Sequence, residues 1–382
     1  MNMVLNEEQL ATQSAAKKLI QAQSPVSALR ALRDSATDES PSKKTCGYDA
    51  QLWQQMVELG WPGIIVPEQY GGLGLPPGYL AVILEEAGRT LTACPLWSSA
   101  LFSSYLLIHC TNDSLKQSVL PEMANGSTTV TVAMEESARH APFLIKTKLK
   151  EAGGNLELNG SKHFVVNGST ADKIIVSARK QKQLCLVLVD CSQPGVIIET
   201  NTMVDAHNSA TITFDAVNIK PDQLLTETDA TDLFNQSLDF ARLGLAAEML
   251  GTASEAFERT LQYLKDREQF GAIIGSFQAL KHRAALMFAE LELAKSTVRE
   301  GFAYADNSPM DANELAKLAS IAKAQLCETL HVISNEAIQM HGGIGMTDEH
   351  EIGFFLKRAR VLEQLLGDDV FHIDRFADLG GY

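Results

Sequence analysis

The spacing of apolar residues changes twice along the chain, and these two changes constrain the fold more than any other feature. Over residues 1–128 the apolar positions recur at helical intervals, as in QLWQQMVELGW and YLAVILEEAGRTL. Over residues 129–228 short alternating runs rich in β-branched residues follow, separated by Gly, Asn and Asp. Helical spacing returns over residues 229–382. The sequence therefore predicts an α+β protein with a helical N-terminal domain, a central antiparallel β domain and a C-terminal helical domain at these boundaries.

Two kinds of turn signal refine this expectation. GGNL and LNGS, at residues 153–156 and 158–161, are typical of hairpin turns and predict two reversals of the chain within the β domain. The polar tract Asp34–Lys44 contains a proline and predicts an exposed connector.

Composition excludes several classes of function. With a net charge of -15 and 45% hydrophobic residues, the chain has enough apolar content for a large core but lacks the basic surface that nucleic-acid binding needs. No apolar run reaches the length of a membrane span, and the amphipathic N-terminus lacks the apolar core of a secretion signal, so we expect no membrane partner and a cytoplasmic location. The six cysteines show no CxxC pair, and we expect neither a metal site nor a disulfide.

The stretch DREQFGAIIGSFQALKHRAALM carries residues suited to a flat, anionic ligand at a junction between two helical segments. Arg267 is able to make charge-assisted hydrogen bonds to a phosphate, and Phe270 and Phe277 offer apolar faces. Gly271 and Gly275 allow the chain to turn. An ordinary interhelical turn with a surface arginine is an equally open interpretation of this stretch alone.

A second stretch, QMHGGIGMTDEHEIGFFLKRAR, places three glycines between a helix end and the start of a new helix. Backbone without Cβ atoms at Gly342, Gly343 and Gly345 permits close approach to a ligand phosphate or ring. The two stretches together favour a nucleotide-like cofactor.

With both stretches in hand, the chain resembles the acyl-CoA dehydrogenase family of flavoproteins over nearly its full length, including LGWPGIIVPEQYGGLGL at residues 59–75. It looks closest to the bacterial branch acting on bulky acyl-CoA esters such as steroid side chains. The resemblance implies FAD as cofactor, a C-terminal four-helix bundle that carries most subunit contacts, and an oligomer built as a dimer of dimers. It also implies an acyl-CoA substrate and an electron-transfer flavoprotein as electron acceptor.

The resemblance assigns ligand-binding roles to particular positions. Asp239 and Arg242 match positions near the CoA chain or the thioester, although an ion pair within one helix is an equally open interpretation. The positions that match those holding the pyrophosphate and adenosine of an FAD, whose ring sits in a neighbouring subunit, are Arg267, Gln269, Phe270, Phe277, Gln339, Gly342 and Gly343.

The base that the reaction requires is missing from both places where the family keeps it. Desaturation of an acyl thioester needs a base for the α proton while the flavin accepts the β hydride. In the family the base is a carboxylate, either before a Gly near the C-terminus or before an Arg on a helix of the last domain. Here those positions hold Leu366 and Ala241. Neither side chain is able to take a proton.

Nearby acids are weak substitutes. Asp368 and Asp369 follow the C-terminal position, but acids after a glycine are also ordinary helix-start residues. Glu248 lies seven residues beyond Ala241 on the same helical face, a separation of roughly 10 Å along the axis, so we expect a structural role for it.

The segments that match the flavin-ring pocket are altered as well. The family segment resembling VTEPGAGSD reads AMEESARHAP here, and the one resembling WITNG reads FVVNG. Met134 and Val166 stand where the family usually has threonines, and Phe164 stands where it often has tryptophan. Each lost hydroxyl removes a contact worth about 1 kcal/mol, so we expect weaker flavin binding in this chain's own pocket.

Three functions remain open from the sequence. The chain is either a non-catalytic partner that completes the FAD site of another dehydrogenase chain in a heterotetramer, or a self-sufficient homotetramer using Asp368, Asp369 or another carboxylate, or a non-enzymatic acyl-CoA-binding or scaffold protein.

Overall fold

The computed structural model describes residues 4–35, 47–307 and 311–382. The N-terminal region is helical, as predicted, and its amphipathic first helix is capped by the Asn6 side chain. Of the predicted connector Asp34–Lys44, the first two residues complete α2 and the rest lies outside the described residues. The helices are α1 (Glu7–Gln23), α2 (Val26–Ser35), α3 (Ala50–Glu58), α4 (Pro77–Arg89), α5 (Ser104–His109) and α6 (Asp113–Ala124).

A seven-stranded sheet forms the central domain. Six strands follow the order β1-β4-β2-β3-β7-β6, and the seventh, β5, also pairs with β4. Most pairings are antiparallel, as predicted, but β1 and β2 each pair with β4 in parallel. Alternate apolar side chains fill its core. The strands are β1 (Val130–Ala133), β2 (Lys148–Ala152), β3 (Asn155–Val166), β4 (Lys173–Lys180), β5 (Gln183–Asp190), β6 (Val196–Asn201) and β7 (Ser209–Ile219).

One of the two hairpin predictions is wrong. GGNL does turn the chain between β2 and β3, with Gly153 and Gly154 at positive φ. LNGS instead continues inside β3, where the register to β7 shifts between Leu158 and Gly160. A Cβ on Gly160 would lie 2.4 Å from the hydroxyl of Thr147, so this glycine serves a bulge with close backbone approach rather than a reversal.

Helices return after the sheet, as predicted, and α9 packs against α8, α10 and α11. None of the helices in the described ranges is long and apolar enough to cross a membrane. The exact domain boundaries stay a prediction. The elements are α7 (Thr231–Asp266), β8 (Glu268–Gln269), β9 (Ala272–Ile273), α8 (Gln278–Ala305), α9 (Ala312–His341), α10 (Ile352–Gln364) and α11 (Asp369–Gly380).

The chain forms two compact units. Among the described residues, one unit comprises 4–33, 81–92, 242–307 and 311–382, and the other comprises 34–35, 47–80 and 93–241. The first unit therefore contains both stretches that the sequence assigns to a cofactor, and the second contains the sheet.

Two glycines let α4 and α7 cross at backbone distance within the first unit. A Cβ on Gly251 would lie 1.8 Å from the carbonyl oxygen of Glu85, and a Cβ on Gly88 would lie 2.1 Å from that of Glu248. Thr252 also donates its hydroxyl to the carbonyl of Gly88. No side chain larger than hydrogen fits either position without moving a helix.

We therefore expect Gly251→Ala to lower the free energy of unfolding by about 1–3 kcal/mol, because the added methyl forces α4 and α7 apart. Gly353→Ala on α10 is the matched control, since the nearest atom to its added Cβ is 4.0 Å away and alanine favours a helix. Urea unfolding of both variants measures the difference. Equal stability of the two would contradict the crossing.

Candidate functional site

The junction between α7 and α8 is a tight hairpin formed by β8 and β9. Phe270 and Gly271 at its tip both have positive φ, 56° and 74°, which is the backbone of a type I′ turn. Gly275 follows close to the carbonyl of Leu264, where a Cβ would lie 2.6 Å away. The glycines at this junction therefore set the course of the chain, as their positions in the sequence indicate.

Its side chains face solvent. Phe270 is 93% exposed, and its ring makes an edge contact with that of Phe277 at 6.3 Å between centroids. Arg267 is exposed and has no ion-pair partner among the described residues. Gln269 is also exposed and donates only to the neighbouring carbonyl of Glu268. An exposed aromatic pair beside an unpaired guanidinium suits a planar ligand that carries phosphate.

The glycine segment, Gly342–Met346, follows α9 and is open on its outer side. No atom lies within 4 Å of the Cβ position of Gly342 or Gly343, and Gly342 has a φ of 64°. Gln339, near the end of α9, is exposed. Gly345, by contrast, is buried against the carbonyl of Ile338. The segment therefore leaves room for a ligand to approach its backbone, which fits the pyrophosphate of an FAD.

A stack of rings brings the hairpin and the glycine segment together. Tyr263, whose carbonyl accepts from the amide of Arg267, stacks on His341 at 4.4 Å between centroids. His341 directly precedes Gly342, and His350 follows the glycine segment. The ring centroids of these two histidines are 4.7 Å apart. Burial lowers the pKa of both histidines, so both rings are neutral at neutral pH. The sequence separates these residues by almost eighty positions and gives no signal for the stack.

The C-terminal turn, where the family keeps a base, is built around buried cations. Leu366 is 1% exposed and has a φ of 62°. Its carbonyl oxygen lies 3.4 Å from Nε of Arg242 and 3.0 Å from Nε2 of His372. Lys323 donates to the carbonyl of Gly367 at 2.8 Å. The turn therefore holds an apolar side chain where a carboxylate would stand.

Burial lowers the pKa of two side chains at this turn. Lys323 is fully buried, has no carboxylate at ion-pair distance among the described residues, and contacts the Cys327 sulfur at 3.0 Å; burial lowers its pKa. Burial, together with Arg242 and Lys323, lowers the pKa of His372 to about 2. In the sequence, the signal of a buried cation is that Lys323 is the one charged residue in the mainly apolar stripe LASIAKAQL.

Two of the three acids considered as a substitute base, Asp368 and Glu248, have other partners. Asp368 is the N-cap of α11 and accepts from the amide of Phe371 at 2.9 Å, while Asp369 is exposed in the first helical turn. Glu248 is paired with the guanidinium of Arg358, from Nε at 3.0 Å. The expected structural role of Glu248 agrees with this ion pair.

Ala241, the second place for a base, is fully buried and belongs to the unit that contains the sheet. Its carbonyl accepts from the indole nitrogen of Trp97 at 2.9 Å. Trp97 lies in the π-helix Leu96–Ser103, every residue of which is buried. Asp239 in the same unit and Arg242 in the other unit are both buried. Each interacts with other groups of the protein, so burial alone does not assign either residue to a substrate.

The acidic side chains of the segment AMEESARHAP, which matches VTEPGAGSD, accept hydrogen bonds from neighbouring residues of this chain. Glu136 accepts from the Lys162 ammonium at 2.7 Å and from the Thr147 amide at 3.0 Å. Glu135 accepts from His140 and from the amide of Ala141. Burial lowers the pKa of Lys162 to about 8, with Glu136 opposing that shift. This network, which the sequence analysis missed, fixes the segment without any ligand.

The three substituted positions of the ring pocket differ in exposure. Met134 is buried and its carbonyl accepts from Lys162 at 3.1 Å. The carbonyl of Val166 accepts from the hydroxyl of Thr131 at 2.6 Å. Phe164 is 46% exposed at a φ of 52°. None of these three side chains offers a hydroxyl to a flavin ring.

The chain is similar to known acyl-CoA dehydrogenases along most of its length. Family models match the chain in order: the acyl-CoA dehydrogenase N-terminal domain at residues 6–127, the middle domain at 131–217 and the C-terminal domain at 231–378. The chain is 31% identical over 323 residues to acyl-CoA dehydrogenase IpdE2 of Mycolicibacterium smegmatis, covering 84% of this chain and 85% of the relative. It is 30% identical to the probable acyl-CoA dehydrogenase YngJ of Bacillus subtilis, over 87% of this chain and 89% of that one.

Solved structures agree. A steroid ACAD variant, Tcur3481-Tcur3483, superposes with a TM-score of 0.86 at 29% identity over 98% of both chains. The ChsE4-ChsE5 complex from Mycobacterium tuberculosis gives a TM-score of 0.89 at 20% identity over 100% of this chain and 99% of that one, a likeness of fold alone.

The depressed pKa of His372 predicts a pH dependence of stability. A histidine whose folded pKa lies below its ordinary value of 6.5 stabilises the fold above that pH, and its contribution is lost as pH falls toward about 2. Between pH ~7.5 and pH ~5 we expect a loss of about 2 kcal/mol from His372. Urea unfolding at both pH values measures it, and His372→Gln should flatten the dependence. The exposed His331→Gln is the control; an unchanged slope in His372→Gln would contradict the assignment.

Proposed function

The chain belongs to the acyl-CoA dehydrogenase family, and from that premise we propose that it is a subunit without a base of its own, which completes the FAD site of a partner chain. The half-site consists of Arg267, Gln269, Phe270, Phe277, Gln339, Gly342 and Gly343. In this proposal Arg267 binds the pyrophosphate, and Gly342 and Gly343 admit its close approach. FAD is the cofactor of the family and, when bound, accepts the hydride from the substrate.

The observation that carries the proposal is the buried leucine at the C-terminal turn. Leu366 occupies the place of a base, and the donors around it, Arg242 and His372, are directed to its backbone carbonyl. Ala241 at the alternative place is equally unable to take a proton. Asp368 would have to give up the cap of α11 to act as a base, at a cost of about 1 kcal/mol.

The remaining parts of the proposal concern partners. The substrate is a bulky acyl-CoA, bound with help from Asp239 and Arg242, and the electrons pass to an electron-transfer flavoprotein. The assembly is a dimer of dimers with a second acyl-CoA dehydrogenase chain that carries a carboxylate base. The steroid ACAD variant Tcur3481-Tcur3483, which is 29% identical to this chain, supports this assembly and substrate class by analogy. A cytoplasmic location belongs to the same proposal.

The visible spectrum of the protein tests the proposal, once purified alone and once coexpressed with a homologous chain that has a carboxylate before the C-terminal glycine. We expect flavin absorbance in the mixed complex only. Full flavin occupancy with turnover in the lone protein would instead support a homotetramer using Asp368 or Asp369. Absence of flavin from both would support a non-enzymatic scaffold.

Within the flavin-bearing complex, Arg267→Ala should lower the flavin content, because a charge-assisted contact to phosphate is worth about 1.5–3 kcal/mol. Flavin per complex is measured by absorbance after denaturation. Lys265→Ala is the control, since Lys265 is an exposed cation two residues away on α7. Unchanged flavin content in a folded Arg267→Ala complex would refute the role of Arg267.

Introducing a carboxylate at position 366 tests whether the lack of a base there is what prevents this chain from removing the α proton. We expect Leu366→Glu to introduce exchange of the α hydrogens of a bound acyl-CoA into heavy water, because a positioned base supplies about 10²- to 10⁴-fold. Arg242 beside the new carboxylate would favour its ionised form. Leu365→Glu adds the same charge one residue away and serves as the control. Rapid exchange by the unsubstituted homogeneous protein would show that a base is already present and would overturn the proposal.

A further inference from the structure

Two arginines of α2 hold one aspartate that follows the glycine segment. Arg33 donates to both carboxylate oxygens of Asp348, at 2.6 and 2.9 Å, and Arg30 donates to one of them at 2.9 Å. Arg30 also donates to the backbone carbonyl of Glu349 at 3.4 Å. A carboxylate held by two guanidiniums, one of them bidentate, has a well-defined position.

The same two guanidiniums cover an aromatic ring at the start of α10. Arg30 and Arg33 lie 4.9 and 5.1 Å from the centroid of the Phe354 ring, which is only 3% exposed. Each arginine therefore makes a cation–π contact as well as an ion pair. These contacts fasten α2 to the two residues that come shortly after the glycine segment and to helix α10, which follows them. We call Arg30, Arg33 and Asp348 the arginine clamp.

The outer side of the glycine segment has little other support. Gly342 and Gly343 have no neighbour at their Cβ positions, and Ile344 and Met346 are 43% and 79% exposed. The hydrogen bonds of Thr347 go to Ile344 within the segment itself. The arginine clamp thus ties an exposed stretch of backbone to another element of the fold.

We propose that the arginine clamp positions the glycine segment for the cofactor, so that helix α2, which lies outside the half-site, helps to set FAD affinity. This inference rests on the proposed function of the half-site. Arg30, Arg33 and Asp348 are positioning residues here, acting on the ligand through the backbone at Gly342 and Gly343. Because the Asp348 side chain is 57% exposed, the clamp is weakened by salt.

Positioning and simple electrostatics predict opposite results for one substitution. Asp348→Asn removes a negative charge from the neighbourhood of an anionic cofactor, so long-range charge alone would tighten FAD binding. Loss of the clamp frees the glycine segment and weakens binding instead. Glu349→Gln removes the same charge from the next residue, whose side chain has no ion pair among the described residues, and is the matched control.

FAD is titrated into the apo form of the flavin-bearing assembly, with its affinity followed by flavin fluorescence. We expect Asp348→Asn, and the double variant Arg30→Gln with Arg33→Gln, to raise the dissociation constant about fivefold. Asp348→Glu should recover most of the affinity, and Glu349→Gln should leave it unchanged or tighter. Should Asp348→Asn fail to fold, Arg33→Gln alone, which keeps the Arg30 contact, decides in its place.

Arg267→Ala, measured in parallel, distinguishes a failure of the arginine clamp from a failure of the half-site. If Arg267→Ala weakens FAD binding and Asp348→Asn leaves it unchanged or tighter, the clamp inference is overturned and the half-site stands. If neither substitution weakens binding, the half-site itself is wrong, and the clamp inference is overturned with it.

Discussion

Two backbone carbonyl oxygens just after the end of α10 are the acceptors on which the C-terminal turn depends. Leu366 and Gly367 both adopt positive φ, 62° and 102°, and their carbonyls are shared among Arg242, His372 and Lys323. None of these hydrogen bonds involves the side chain at position 366. The hydrogen bonds of the turn therefore do not depend on the chemical nature of the side chain at position 366, and a leucine there leaves all of them in place.

The two regions that the sequence assigns to a cofactor differ in whether their polar groups already have partners within the protein. In the segment matching the ring pocket, Glu135 and Glu136 accept hydrogen bonds from His140, Lys162 and nearby amides. At the half-site, Arg267 points to solvent without an ion pair among the described residues, and Phe270 is almost fully exposed. A ligand that binds a group without a partner in the protein displaces only water and breaks no intramolecular contact. This contrast favours a role in completing a site that lies mainly in another chain.

The sequence predicted the order of helices and strands because the hydrophobic period is a local property that changes sharply at each end of the sheet. It also predicted that the hairpin and the glycine segment belong together, through their resemblance to a family. It misplaced a turn at LNGS, because Asn-Gly is as compatible with a bulge as with a hairpin, and only the close approach of Thr147 to Gly160 decides. It gave no sign of the Tyr263–His341 stack, which depends on the packing of α7 against the end of α9.

The net charge of -15 gives the arginines near the glycine segment their particular importance. A protein with this charge repels an anionic dinucleotide at long range, although salt reduces the effect beyond about 10 Å. Affinity must then come from contacts at hydrogen-bond distance, which in the proposed half-site are those of Arg267 and the exposed backbone amides with the phosphates. The energy of such a hydrogen bond falls steeply when the donor moves out of line with its acceptor. If an acidic chain binds the cofactor through the proposed half-site, the position of the backbone at Gly342 and Gly343 therefore matters more to binding than the sign of any single surface charge.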